Sequence, residues 1–166
     1  MEDEIQFAAL LRPELVIHGR HARDREEALR KMARHLVTRG YCREPFVRGI
    51  LDREEVHPSA LPMEGLKIAI PHTDSTYVIH PALLFARLRE PVEFRSMGAP
   101  SQRLSVAMIA MFALKEKTWV GDLLETLITV FQEPSTLEAL YHAEDKGVMF
   151  NILQGRIADI SARKPE

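Results

Sequence analysis

The sequence predicts an α/β protein, a mixed β-sheet flanked by helices in a single layered domain. Three short apolar runs, residues 67–70, 82–88 and 104–114, are uninterrupted enough to be strands buried on both faces, and segments with a helical apolar period stand before and after them. The 166-residue chain suits one substantial core and shows no repeat, low-complexity tract or linker at which to divide it, so residues 1–166 are expected to form one domain.

In chain order, "LRPELVIHG" predicts a first strand over residues 14–18, closed by Gly19. "DREEALRKMARHLVTRG" predicts an amphipathic helix: Asp24 and Glu27 have capping-box spacing, Ala28, Leu29, Met32, Ala33, Leu36 and Val37 share one face, and Gly40 ends it. A second helix follows in "EPFVRGILDREEVHP", where Pro45 suits the first turn and Pro58 disfavours helical geometry at His57. The strands "KIAI", "ALLFARL" and "LSVAMIAMFAL" come next, and "VEF" adds an expected edge. "WVGDLLETLITVFQ" reads as a helix with Leu123, Leu124, Leu127, Ile128 and Phe131 inward. "PSTLEALYHA" opens another, with Ser135 and Glu138 as its capping box, and a weaker last helix is expected within residues 148–157.

Composition narrows the function classes. With 22 Lys and Arg against 24 Asp and Glu, the net charge of −2 provides no electrostatic footprint for nucleic acid or an anionic membrane. The lone Cys42 makes no internal disulfide, and the acidic start "MEDEIQF" differs from a basic, then apolar, secretory signal, which points to the cytoplasm. The longest apolar run, residues 104–114, is about half of what crosses a bilayer.

The stretch "LKIAIPHTDSTYV" ends a core strand on a proline and places His72 immediately beyond it. In open α/β sheets the rim where strands end is where ligands and chemistry collect. Pro71 fixes φ, so His72 is carried on a stiff backbone among Thr73, Asp74, Ser75 and Thr76. The same composition also describes an ordinary turn after a strand.

"IAIPHTDSTYV" with "LDREEVHPSALPMEGL" upstream resembles the active-site region of the enzyme IIA component of the sugar phosphotransferase system, mannitol/fructose superfamily. In that family a Gly-Ile-Ala-Ile-Pro-His segment carries the phosphorylated histidine; here Lys67, Ile68, Ala69, Ile70, Pro71 and His72 stand in its place. An Arg-Glu pair, a Ser or Thr and a Leu precede it in the family, matching Arg53, Glu54, Ser59 and Leu61. The resemblance spans roughly residues 14–132, and "REEVHPSAL", "PHTDSTYV" and "ARLREPVEFRSMG" are most similar to the galactitol-type branch. It implies His72 phosphorylated on its tele nitrogen, with Arg53 at the phosphate. An imidazole attacks phosphorus through one nitrogen while the other is held, and a forked guanidinium suits the equatorial oxygens better than lysine.

Each neighbour has a plainer reading too. Arg53 can be an exposed helix arginine paired with Glu54 or Glu55. His57 stands four residues after Arg53 and either lines the pocket or points to solvent. Ser59 caps a turn or donates to phosphate, and Asp74 orients His72 or serves its own turn. The mannitol branch has a second active-site histidine at the start of the helix after the long strand; Val120 occupies that position here, as the galactitol-like branch also commonly lacks it.

Other constellations are weaker. His72, Asp74 and His80 are conceivable metal ligands, but HExxH, HxH and cysteine pairs are absent and no metal or cofactor is expected. Cys42 reads as an inert thiol, and His18, His21, His35 and His142 as partnerless. The resemblance implies a phosphotransferase that accepts phosphate from the histidine-containing phosphocarrier protein and passes it to a cysteine of enzyme IIB, with IIB and IIC on separate chains. A regulatory, nitrogen-type phosphoprotein is the alternative.

Overall fold

Strand β1 spans Leu11–Arg20, longer at both ends than residues 14–18. It tolerates Pro13 because it lies at the sheet edge, paired only with β3 (Ala82–Ser96), and its register with β3 shifts between Leu11 and Val16, where a missing N–H breaks no ladder. The computed structural model describes residues 6–163; the acidic opening, residues 1–5, and residues 164–166 lie outside the described residues.

Helix α1 (Arg25–Thr38) starts where Asp24 predicts, with Asp24 Oδ1 accepting the Glu27 amide at 2.8 Å. Only that half of the capping box forms, since the Glu27 carboxylate turns to Arg23 and Lys31. The helix ends in a Schellman motif: Gly40 takes φ +84°, its amide donates to Val37 O, and the Tyr41 amide donates to Leu36 O. Helix α2 (Phe46–Val56) begins after Pro45 and stops at His57, whose φ −127° and ψ 82° are the non-helical geometry that Pro58 imposes on its predecessor.

The "KIAI" segment yields only a two-residue strand, β2 (Ile68–Ala69). The expected "VEF" edge is not a separate strand. Residues 92–94 continue β3 past a register shift between Arg87 and Val92, around Pro91, and pair with the first half of β4 (Ala99–Ala113). A tight turn with Gly98 at φ +81° joins the two. The sheet order is β1-β3-β4-β2, parallel at both outer pairs and antiparallel in the middle, hence mixed.

Side chains alternate across β3 and β4 into two cores. Leu84, Ala86, Ile109 and Met111 meet Leu29, Met32, Leu36, Phe46 and Ile50 of α1 and α2. Leu83, Phe85, Ala110 and Phe112 meet Leu123, Leu127 and Phe131 of α3 (Val120–Phe131), Leu137 of α4 (Pro134–Tyr141), and Met149 and Leu153 of α5 (Lys146–Arg163). This sandwiching explains why residues 82–86 read as an unbroken apolar run.

Two helix ends differ from expectation. α4 starts at Pro134 after Glu133 with no side-chain cap, so the Ser135/Glu138 capping box is not formed: Pro134, preset for the first helical position, starts the helix two residues earlier than a Ser135 cap would. α5 runs 18 residues rather than residues 148–157, opened by Asp145 accepting the Val148 amide at 2.9 Å. Among the described residues no helix is long and apolar enough to cross a membrane.

Candidate active site

The end of β2 is fastened from both sides. The Ile70 amide donates to Ser59 O at 2.9 Å, and the Phe112 amide donates to Pro71 O at 3.3 Å. Ile68 pairs with Met108 and Ala69 with Ile109, so the same parallel register carried forward brings His72 level with Phe112. The rings stack, with centroids 4.5 Å apart and planes within 12°. His72 Nδ1 lies 3.1 Å from its own chain's Ile70 O. A carbonyl only accepts, so Nδ1 carries the proton and Nε2 keeps its lone pair.

Burial is the main influence on His72 and holds its pKa below the ordinary histidine value. The Ile70 carbonyl opposes this, while the charges of Arg53 and His57 add to it. A neutral imidazole at pH 7, fixed at its face and at Nδ1, is a nucleophile with one available atom.

Helix α2 supplies the opposite wall. Arg53, His57, Pro58, Ser59, His72, Met97 and Leu124 line one depression of about 220 Å³. The plain reading of Arg53 as a surface ion-pair partner does not hold, because both neighbouring carboxylates are engaged elsewhere. Glu55 meets Arg25 at 2.9 Å, and the buried Glu54 accepts the Ser59 amide at 3.1 Å and the Ser59 hydroxyl at 2.8 Å. The half-buried Arg53 guanidinium has no hydrogen bond or ion pair among the described residues, which leaves its full fork for an anion. His57 lines the pocket while remaining exposed, so both of its readings are met in part.

Asp74 does not orient His72. Its Oδ1 accepts the Thr76 amide at 3.1 Å, and it opens the single 3-10 turn Ser75–Tyr77; the Ile70 carbonyl holds the imidazole in its stead. That turn hydrogen bond, chiefly, lowers its carboxyl pKa. Val120 opens α3 and packs half-buried on the second core, one turn before the pocket-lining Leu124.

Sequence reasoning missed Phe112 and the role of Glu54. The register between a two-residue strand and β4 finds the first, and a charged residue on the inward face of α2, between Ile50, Leu51 and Pro58, marks the second. Three histidines expected to be partnerless are not. His18 Nε2 lies 2.7 Å from Ala143 O and its Nδ1 3.2 Å from Arg87, His35 reaches Glu14 O at 2.8 Å, and His142 sits 3.2 Å from Glu138. Cys42 is buried, and burial pushes its thiol up to about 12. Among the described residues no three His, Cys, Asp or Glu side chains gather as a metal-holding group. A larger depression, about 510 Å³, lies between α1, α2 and the β3–β4 hairpin and is ringed by charges of both signs.

Fold and pocket define a helix-flanked mixed-sheet domain with one half-buried histidine, His72, presented in a depression beyond a strand end. The chain belongs to the family described as "Phosphoenolpyruvate-dependent sugar phosphotransferase system, EIIA 2", whose model matches residues 9–155; the family is one of phosphotransferases. It is 28% identical over 146 residues to the mannitol-specific EIICBA component of Escherichia coli K12, covering 86% of this chain and 22% of that protein. The chain thus spans about a fifth of that relative's length. The galactitol-specific EIIA component of the same organism is 22% identical over 117 residues, 70% of this chain and 77% of the relative. Among solved structures, the complex of enzyme IIA mannitol with phosphorylated enzyme IIB mannitol from E. coli superposes with TM-score 0.72 at 24% identity, over 88% and 99% of the two chains. Nitrogen regulatory protein IIA-Ntr from Neisseria meningitidis superposes with TM-score 0.70 at 22% identity, over 88% and 97%.

Proposed function

We propose that His72 is the phosphoryl carrier of a cytoplasmic enzyme IIA, taking phosphate from the histidine-containing phosphocarrier protein and passing it to an enzyme IIB cysteine on another chain. The observation that carries the reading is the hydrogen bond from Nδ1 to Ile70 O, which leaves Nε2 as the nucleophile beside Arg53, whose guanidinium has no hydrogen bond or ion pair among the described residues. In the accepting step the bond from phosphorus to the donor imidazole breaks as the bond to His72 Nε2 forms. The Ile70 carbonyl supports the positive charge that the ring acquires, and Arg53 meets the equatorial oxygens, with His57 as a further donor and Ser59 lining the same pocket. Passing phosphate to a thiolate reverses the charges and returns a neutral His72. Asp74 caps its own turn, and its carboxylate also feels the charge of Arg53 across the pocket.

The likeness to the galactitol component and the motif wording favour galactitol or a related polyol as the cargo. A regulatory role is the second reading, favoured by the likeness to the nitrogen regulatory protein. Neighbouring reading frames for IIB and IIC components would separate the two.

The test is chemical. A phosphoimidazole is lost in acid, where the ring becomes a cationic leaving group, and survives in alkali. Incubation with phosphoenolpyruvate, enzyme I and the phosphocarrier is expected to give one acid-labile, base-stable phosphate that vanishes in His72→Ala. Label that persists in His72→Ala, or that resists acid, would overturn the assignment.

A further inference from the structure

Glu54 is 4% exposed, yet it stands between two open spaces. On one side Ser59, whose amide and hydroxyl both meet Glu54 Oε1, lines the His72 depression. On the other, Glu54 itself lines the larger charged cleft. There Arg25 of α1, Glu55 of its own helix, Glu93 and Arg95 of β3 and Arg103 of β4 surround it. Arg25 makes its ion pair with Glu55 and Arg103 lies 3.9 Å from Glu93, and among the described residues no ion pair joins Glu54 to a cation, Arg25 acting on it only through its charge. Arg53, His57 and His72 lie on the pocket side.

The hydrogen bond between Glu54 and Ser59 has a direction, and the direction depends on a proton. While the carboxylate is ionised it accepts the Ser59 hydroxyl hydrogen, so Ser59 Oγ turns lone pairs, not a donor, toward the pocket. A phosphoryl dianion there meets an acceptor and, one residue behind it, a buried negative charge. When Glu54 takes up a proton on Oε1, that hydroxyl donates to Ser59 Oγ across the same 2.8 Å contact, and its remaining lone pair faces the Ser59 amide. The serine hydrogen is then free to donate to a phosphate oxygen.

We propose that Glu54 is a positioning residue of this site, and that phosphorylation of His72 is coupled to protonation of Glu54 through reversal of the Ser59 hydroxyl. This rests on the reading of His72 as the phosphoryl acceptor. The proton is taken from solvent by way of the charged cleft as phosphate arrives, and it returns when phosphate leaves; no other bond is made or broken. Burial supports the coupling, raising the Glu54 carboxyl from 4.5 to about 7 against the opposing hydrogen bonds of Ser59, so a small change in the pocket charge moves its occupancy at neutral pH.

Carboxyl-labelled glutamate followed by NMR from pH 5 to 9 tests this directly, before and after loading with phosphoenolpyruvate, enzyme I and the phosphocarrier. The Glu54 signal, assigned by its loss in Glu54→Gln, is expected to move its midpoint upward when His72 carries phosphate. A parallel assay compares the equilibrium fraction of phosphoprotein across the same pH range in wild type and Glu54→Gln. The glutamine side chain carries no titrating proton, and the phosphocarrier's own titration is common to both proteins. The ratio of the phosphorylation equilibrium constants drawn from those fractions, wild type over variant, should therefore fall with rising pH, by about tenfold for each unit by which the midpoint moves. In Ser59→Ala the midpoint shift should shrink. A phosphorylated His72 with an unmoved Glu54 midpoint, or a pH-independent ratio, overturns the coupling alone. No phosphate on His72 at any pH sinks the reading of the site and the coupling with it.

Discussion

Arg53 and Glu54 are sequence neighbours in the last turns of α2, and one step of about 100° around the helix separates an anion-ready guanidinium from a buried carboxyl. Because Arg53 has no partner to lose among the described residues, Arg53→Ala should slow phosphorylation of His72 without lowering stability. One charge-assisted contact is worth about 1.5 to 3 kcal/mol, a factor of roughly ten to a hundred or so in rate. Arg53→Lys should recover only part of this, since it restores the charge without the fork. Quench-flow labelling reads both; an unchanged rate in Arg53→Ala would remove it from the site. Glu54 makes a separate prediction for stability. Its folded-state pKa is raised from 4.5 to about 7, so its contribution is fully present below pH 4.5 and is lost as pH climbs through 7. The loss is on the order of 3 kcal/mol. His72 has the opposite sign: its lowered folded pKa means that stability falls as pH drops through the ordinary histidine range, where only the unfolded chain takes up the proton. Denaturant melts at pH 5 and pH 8 should show wild type losing stability at the higher pH, and Glu54→Gln losing much less. Equal slopes would mean that Glu54 is solvated in solution.

At the scale of elements, the ends of α1 and α2 were legible in the sequence, the start of α4 was not because Pro134 overruled the Ser135 cap, and what is decided by register was not. Asp24 and Gly40 mark the ends of α1 because caps and a left-handed residue act within a few positions. Gly40→Ala should cost about 1 kcal/mol in a thermal or denaturant melt, because no side chain crowds the site and only the φ of +84° resists, and it should leave phosphorylation of His72 unchanged. A loss of phosphorylation there would mean that the end of α1 communicates with the pocket. The length of β3 was hidden because Pro91 and the polar stretch around it look like a strand end, whereas β4 holds the backbone extended through the register shift. The Pro-His context singled the histidine out but fitted an ordinary turn equally well, and the wider resemblance favoured it; the aromatic floor beneath it depends on how β2 sits against β4, which no local pattern encodes. Phe112→Leu keeps an apolar side chain of similar bulk and removes the stacked face. It is expected to fold normally, with its amide spectrum dispersed, and to phosphorylate more slowly than wild type; an unchanged rate would reduce Phe112 to core packing.

For the molecule as a whole, two helical layers on one sheet leave the His72 pocket at an edge, where α2 of one layer and α3 of the other both reach it through Arg53 and Leu124. A carrier that receives phosphate from one protein and gives it to another must present the same nitrogen to both, so the two partners are expected to compete for one face. Such transient contacts have an apolar centre with a polar rim. Val56, next to the pocket-lining His57, is 69% exposed, while Val148 at the start of α5 in the opposite layer is 41% exposed. An apolar side chain left in water at the end of α2 is explained if a partner covers it during transfer. Val56→Asp should therefore raise the phosphocarrier concentration needed for half-maximal phosphorylation by roughly ten-fold, equivalent to about 1.4 kcal/mol, with little change in the rate at saturation. Val148→Asp introduces the same charge on the far layer and should change neither. Initial rates of labelling measured over a range of phosphocarrier concentrations decide the matter: equal effects of the two substitutions, or an effect of Val148→Asp alone, would move the docking face away from the His72 edge.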